Sequence, residues 1–457
     1  MSTAAIEIND AGLLLAVDGE LRHSSPGYAL LDREPVVIGN EALRASRIEP
    51  LNVNNRFWNE LDERPLLVRA AAGRSHADLA YLHLAYLWND VAGSPRSARF
   101  VVPATLRPAQ LALLLGIARE VRVPVVGFVD TAVVLASTWP DSGRLLCVDV
   151  HLHNTVITAV AVGERVRRER TEVTRGVGWL DLIDTWMRMI GREFVARTRF
   201  DPMHRASLEQ QLFDSLPGWL EQLQSADAVD IEAPFEGETH AVRLTREQFA
   251  LEANALYTEL LMRVHRLRTP GHATTIVLSD RAASLPGLAE RFAEFNDCGV
   301  VRSAPGAAVA AACAMSESQE VEDTVQLLCA VPRAEASVAA RLPWRSLQLA
   351  RPADVVAAPS HVLYRGQAIA LGPEPLRIGL APPRDDTASL HVVGASAGVS
   401  RLHCSVLRLP TGAVVVDHSR FGTWLNDERV FGRATLRAGD RLRLGRPGVT
   451  LELITSE

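Results

Sequence analysis

Lysine is absent: all 48 basic residues of this 457-residue chain are arginine. That excludes chemistry requiring a lysine amine, such as a Schiff base, a P-loop lysine or a lysine held on a phosphate during transfer. Arginine does not replace lysine where a compact ammonium is needed. Arginine-rich coding bias explains the composition, since Ala, Leu and Val are also abundant, but the exclusion holds whatever the cause. Cysteine is sparse too. Cys147, Cys298, Cys313, Cys329 and Cys404 are scattered without metal-ligand spacing, so they read as reduced thiols of a cytoplasmic protein, and no metal site is expected. No apolar run reaches about 18 residues, so no membrane span is expected. The stretch from Met1 to Glu20 has no basic segment before its apolar residues and does not read as a signal peptide. A net charge of −6 offers no basic footprint for nucleic acid.

What is present is ordinary for a globular chain, 47% hydrophobic and 22% charged. Three regions separate. In residues 1–315 strand-like runs alternate with helical ones. Ala5–Ile8 and Leu13–Val17 flank a turn at Asn9–Gly12, and Leu145–Val150 pairs in pattern with Val156–Val162. Arg99–Pro103, Val123–Val129 and Thr274–Leu278 read as further strands. Helices are expected at 108–120, 179–197, 206–224, 246–267 and 288–295. Such alternation predicts mixed α/β sheets repeated in two lobes. Residues 316–355 open with the acidic stretch SESQEVED and read as a linker and connecting segment. From 356 to 457 short strands (362–364, 368–371, 414–416, 441–444) lie between Gly, Pro and Asp turns, which predicts an all-β sandwich.

Within that last region four motifs run in order: Leu376-Arg377-Ile378-Gly379, Ser400-Arg401-Leu402-His403, Asp417 through Asn426, and Leu436 through Gly445. Together they resemble a forkhead-associated (FHA) domain, a sandwich that binds phosphothreonine peptides through loops at one end. A phosphate requires hydroxyl and backbone donors with a cation that forks onto its oxygens. The resemblance implies that Ser400 contacts the phosphate, His403 buttresses the loop and Asn426 holds the peptide backbone. Arg401 and Arg420 are the cations placed to help, with Gly422 and Thr423 in the same loop. Two departures stand out. The arginine that follows the family's glycine is Leu380 here, a loss of about 1.5–3 kcal/mol, with Arg384 or Arg401 as substitutes. Phe421 replaces the asparagine of the Asn-Gly-Thr motif. A threonine-phosphorylated protein partner and an unphosphorylated docking partner therefore both remain open.

Residues 1–315 resemble the nucleotide-binding domain of the actin-like ATPase superfamily, of the DnaK chaperone type. The matching pieces are Phe100–Ala104 with Gln110, Phe128–Ala132, Leu146–Val150, Gly176–Asp181, Ile276–Ser279 with Leu285–Leu288, and Ala308–Ala310. The resemblance implies a cleft for ATP or ADP with Mg²⁺, with Glu7, Asn9, Asp10, Asp149, His151, His153, Asp181, Asp280 and Arg281 as its candidate nucleotide-binding residues. Its phosphate hairpins depend on glycine for close approach and positive φ. Here the second hairpin reads Asp149-Val150-His151-Leu152-His153-Asn154-Thr155, without glycine, and Asp280-Arg281 stands where the family has Gly-Gly. His151 and His153 are expected on one face of a strand, Arg281 is expected to clamp Asp280, and Arg56 falls near the missing lysine. No catalytic residue is assigned. The reading is a non-catalytic scaffold with a degenerate ATPase body; the alternative is a slow ATPase used as a switch and targeted by its FHA part.

Overall fold

The computed structural model describes residues 2–89, 91, 95–268, 273–295, 298–315, 327–334, 345–346, 359–382, 388–393, 398–409, 412–426, 428–430, 432–445 and 448–455. The chain divides into two compact units, Met1–Ala289 with Gly299–Leu347, and Glu290–Cys298 with Gln348–Glu457.

The first unit is built on two sheets. Strands β1 (Thr3–Asn9), β2 (Gly12–Val17) and β3 (Glu20–Pro26) form an antiparallel meander. After helix α1 (His76–Asn89), β4 (Ser97–Val102) pairs parallel with β1. Helix α2 (Pro108–Glu120) then leads to β5 (Val125–Asp130), parallel with β4. Helix α3 (Thr131–Ser137) crosses to the second sheet, where β6 (Gly143–Val150), β7 (Asn154–Val162) and β8 (Arg165–Arg175) repeat the antiparallel meander. Helices α4 (Trp179–Thr198) and α5 (Ala206–Gln222) precede a two-stranded hairpin, β9 (Ala228–Phe235) with β10 (Glu238–Thr245). Helices α6 (Arg246–Glu252) and α7 (Asn254–Leu267) lead to β11 (Thr274–Leu278), parallel with β6, and β12 (Cys298–Arg302) lies beside it. Thus β3-β2-β1-β4-β5 and β8-β7-β6-β11-β12 have the same strand order.

Between the sheets lie α3 and α8 (Ala307–Cys313). Their Val133, Leu135, Val309 and Ala312 share one core with Ala5, Val101 and Val129 of the first sheet and Leu145, Val160 and Val277 of the second. The local reasons are plain. β7 is a β-branched run with eight of its nine residues buried. α2 starts at a proline, whose missing N–H is harmless there, and Gln110 accepts the Arg107 N–H at 3.1 Å. Asp130 caps α3, accepting from the Ala132 and Val133 amides at 3.0 and 3.2 Å.

Mixed α/β sheets are as the sequence predicts, and α2 has the expected bounds. Other elements correct it. The expected helix 246–267 is broken at Ala253, and β3, β8, α1 and the β9–β10 hairpin were not anticipated. Part of the expected linker belongs to the sheets: Leu327–Leu328 pairs with β5, Ala330–Pro332 with β8 and Arg345–Ser346 with β12. The acidic stretch 316–323 lies outside the described residues. No described helix is long and apolar enough to cross a membrane.

In the second unit, strands 361–364, 367–370, 423–425, 428–430, 441–444 and 449–454 form one sheet, and strands 376–379, 389–391, 404–409, 412–417 and 433–436 the other. Their facing sides bury Val362, Ile378, Val406, Val415, Leu442 and Leu451 in a single core. This is the expected all-β sandwich.

Candidate functional sites

A cavity of about 510 Å³ lies between the two sheets of the first unit. Of the nine candidate residues, Glu7, Asn9, Asp149, His151, Asp280 and Arg281 line it, whereas Asp10, His153 and Asp181 do not. The β1–β2 turn and the β6–β7 turn meet beneath it. There Asp10, 5% exposed, accepts hydrogen bonds from the backbone N–H groups of Leu152 (2.6 Å) and His153 (2.9 Å) and from Asn154 Nδ2 (3.4 Å). A side-chain carboxylate of one sheet therefore occupies the turn amides of the other.

The helix that follows seals the turn from behind. Trp179 and Leu180 donate their amides to the His151 and Leu152 carbonyls at 2.8 and 3.0 Å. Gly178 is required by this approach, because a Cβ there would lie 2.5 Å from the Leu152 oxygen. Asp181 accepts the Gly178 N–H at 2.8 Å, so it caps α4 instead of reaching the cavity.

Three expectations are corrected. His151 and His153 do not share a strand face, because they sit in the turn: His151 Nε2 bonds Asp149 at 2.9 Å, and His153 Nε2 bonds the Asn55 carbonyl at 3.0 Å. Asp280 is held by Arg302 at 3.3 Å, not by Arg281. Arg56 is absent from the cavity lining and pairs with Glu60 at 3.1 Å.

The electrostatics of the floor are uneven. Burial pushes the Glu7 carboxyl up to about 7, helped by repulsion from Asp149 and opposed by Arg281 and His151. Burial also opposes ionisation of Asp149, but His151, Arg281 and a Ser279 hydrogen bond prevail and hold it at about 2. For His151 burial is likewise outweighed by Asp149, which raises it above the ordinary imidazole value. Burial pushes Asp130 up although Arg168 contacts it at 2.6 Å, since the pair is almost dry on the carboxylate side.

The Glu7 shift gives a pH-dependent expectation. Its folded-state value lies above the unfolded value of 4.5, so the folded state holds more protons between pH 4.5 and about 7. Stability falls as pH rises through that window. Glu7→Gln should flatten the slope and add roughly 1–3 kcal/mol at pH 8. Urea midpoints from pH 4 to 8 check this; a wild-type slope retained by the variant contradicts it.

In the sandwich the loops after strands 389–391 and 412–417 converge. Arg420 donates its backbone N–H to Ser400 Oγ at 3.1 Å, leaving the serine hydroxyl hydrogen free to donate elsewhere. His403 is fully buried; its Nδ1 accepts the Ser400 N–H at 3.0 Å and its Nε2 faces the Gly422 carbonyl at 3.0 Å. Those partners require a neutral ring protonated on Nε2, and burial correspondingly lowers its pKa. Thr423 donates to Asp417 at 2.8 Å, while Gly422 takes φ +84 against the Trp424 ring. Gly379 admits no side chain, since a Cβ would meet the Arg401 oxygen at 2.1 Å. Arg401 and Arg420 are exposed, and Phe421 is 52% exposed beside them.

Asn426 is exposed and uses half of its amide within the domain. Its Nδ2 donates to Asp440 at 2.7 Å and its Oδ1 accepts the Arg441 N–H at 2.9 Å. These two bonds leave the amide's second hydrogen and second oxygen lone pair unused. Leu380 packs on the sandwich core, and Arg384 lies outside the described residues.

Two roles were missed from sequence: the Asp10 clasp, whose partner is 142 residues away, and the Ser400–Arg420 contact joining two loops. No residue pattern reports such pairings before the fold is known. No curated protein matches the chain. Residues 378–445 match the FHA domain family, so the C-terminal sandwich carries an FHA domain, a protein-interaction module of the phosphothreonine-binding kind.

Proposed function

We propose that the protein is a non-catalytic scaffold: a body derived from the actin-like ATPase fold, joined to an FHA module that docks a threonine-phosphorylated protein. Support for the ancestry is the doubled strand order, with two helices between the sheets. Support for the loss of catalysis, and the single observation that carries the reading, is the Asp10 clasp. Phosphoryl transfer depends on preorganised donors around the phosphates. In this chain the turn amides of Leu152 and His153 already bond a carboxylate. A nucleotide phosphate would have to displace Asp10 while facing Asp149. The free thiols of Cys147, Cys313, Cys329 and Cys404 suit a reducing compartment such as the cytoplasm.

Phosphopeptide docking is read from Ser400, with its free hydroxyl hydrogen, and from the exposed Arg401 and Arg420. The purified chain with MgATP tests the body. The expected result is no phosphate release above buffer and no thermal shift. Steady turnover abolished by Asp149→Asn would replace this reading with that of a slow ATPase acting as a switch.

A further inference from the structure

The cavity between the sheets is large enough for a small organic ligand. Most of its charged lining is already satisfied. Asp149 bonds His151, Asp130 bonds Arg168, Asp280 bonds Arg302, and Asp214 accepts from Gln210. Two groups differ. Glu7 is 8% exposed and makes one long contact, 3.5 Å from Asn9 Nδ2. Arg281 has a buried Nη1 without a hydrogen-bond partner. Among the described residues no ion pair holds either one. The two groups nevertheless feel each other's charge across the cavity floor.

Buried polar groups in native structures are normally bonded, so a carboxyl and a guanidinium left open beside one cavity point to a ligand. Its head must offer a donor or acceptor to the carboxyl and an acceptor to the guanidinium. The guanidinium charge is already offset by Asp149 and by the partly ionised Glu7, so the head itself need carry none. Phosphate is disfavoured by Asp149 and Glu7 and by the Asp10 carboxylate already on the turn amides. The rest of the wall, including Leu14, Leu135, Trp179, Ile183 and Phe213, suits an apolar or ring-shaped body.

We propose that this cavity binds an uncharged, phosphate-free small molecule whose amide-type edge, a donor beside an acceptor, bridges Glu7 and Arg281. The assignment rests on the reading of the body as a cleft that no longer works on phosphates.

Adenosine, nicotinamide and cytosine serve as neutral probes, with inorganic phosphate and MgATP as anionic ones, each titrated into the full chain by calorimetry and thermal shift. At least one neutral probe should bind, and Glu7→Gln and Arg281→Gln should each weaken it about tenfold. Circular dichroism confirms that the variants fold, and Glu7→Ala with Arg281→Ala serve as second variants if either glutamine form is unstable. No midpoint shift with any neutral probe at about 5 mM overturns the inference, as does binding that the variants leave unchanged. Silence of every probe overturns this assignment but leaves the scaffold reading intact. Tight binding and turnover of MgATP overturn both.

Discussion

Asp10→Ala should lower the unfolding free energy of the first unit by about 3 kcal/mol, because a buried carboxylate that accepts two backbone bonds is removed and the donors stay behind. The Leu152 and His153 amides lie in a turn sealed by the α4 N-terminus, and their present partner is Asp10 at 2.6 and 2.9 Å. A methyl group cannot replace it. The effect reaches beyond one turn because the clasp joins the meander of one sheet to that of the other. Urea denaturation followed by tryptophan fluorescence reads the loss. Asp10→Asn keeps one accepting oxygen and should lose less, roughly 1–2 kcal/mol. Equal stability of wild type and Asp10→Ala would mean that the two turns are held by packing alone. It would also remove the main argument against a phosphate at that position.

Legibility of the fold in the sequence followed the chemistry of each element. β7 was visible because β-branched and small apolar residues run nearly its whole length. β8 was not, because RVRRERTEVTR buries only Val166 and Thr174 and presents arginine elsewhere. Its identity comes from pairing with β7 and with Ala330–Pro332, which no local pattern encodes. The β9–β10 hairpin was recoverable in principle. Val229, Ile231 and Ala233 alternate inward, and Glu236-Gly237 is a two-residue turn with both φ values positive. The long helical signal on either side obscured it. α1 was hidden differently, since its buried face mixes His76 and His83 with leucine and alanine. His83 is there as a neutral hinge of hydrogen bonds, accepting from Trp58 and facing Ser25, with burial holding it down at about 3.

The sites divide in the same way. Ser400, His403 and Gly379 were legible because each is tied to a motif whose geometry needs that residue type. Asp149 and His151 were legible as residues, but their relation was not. Asp149 lies at the end of a strand but His151 lies in the turn beyond it, so the alternation of a strand does not relate the two. Asn426 was legible as a residue, but its bonds to Asp440 and Arg441 were not, because a motif gives identity without bonding.

Loss of phosphopeptide binding on substitution at the FHA loops is the second large effect expected. Ser400→Ala removes the hydroxyl that bridges Arg420 N–H to an incoming phosphate and should weaken binding about tenfold. Arg401→Ala with Arg420→Ala removes both exposed cations. Contacts of charged groups with phosphate contribute about 1.5–3 kcal/mol each, so the double variant should bind at least about 100-fold more weakly. Leu380 offers no charge to compensate, because it is packed on the sandwich core. Two conditions separate a phosphate contact from general stickiness. Binding should fall with added salt, as exposed charges are screened. It should also fall below about pH 6, where phosphothreonine loses its second charge. His403 adds no opposing slope, since it is buried, neutral and bonded to the Ser400 and Gly422 backbone. Fluorescence anisotropy with a phosphothreonine peptide library against its unphosphorylated counterpart measures all of these. If both libraries bind equally and the double variant is unaffected, the loops dock an unmodified partner, and Phe421, 52% exposed between Arg420 and Gly422, becomes the side chain to substitute next.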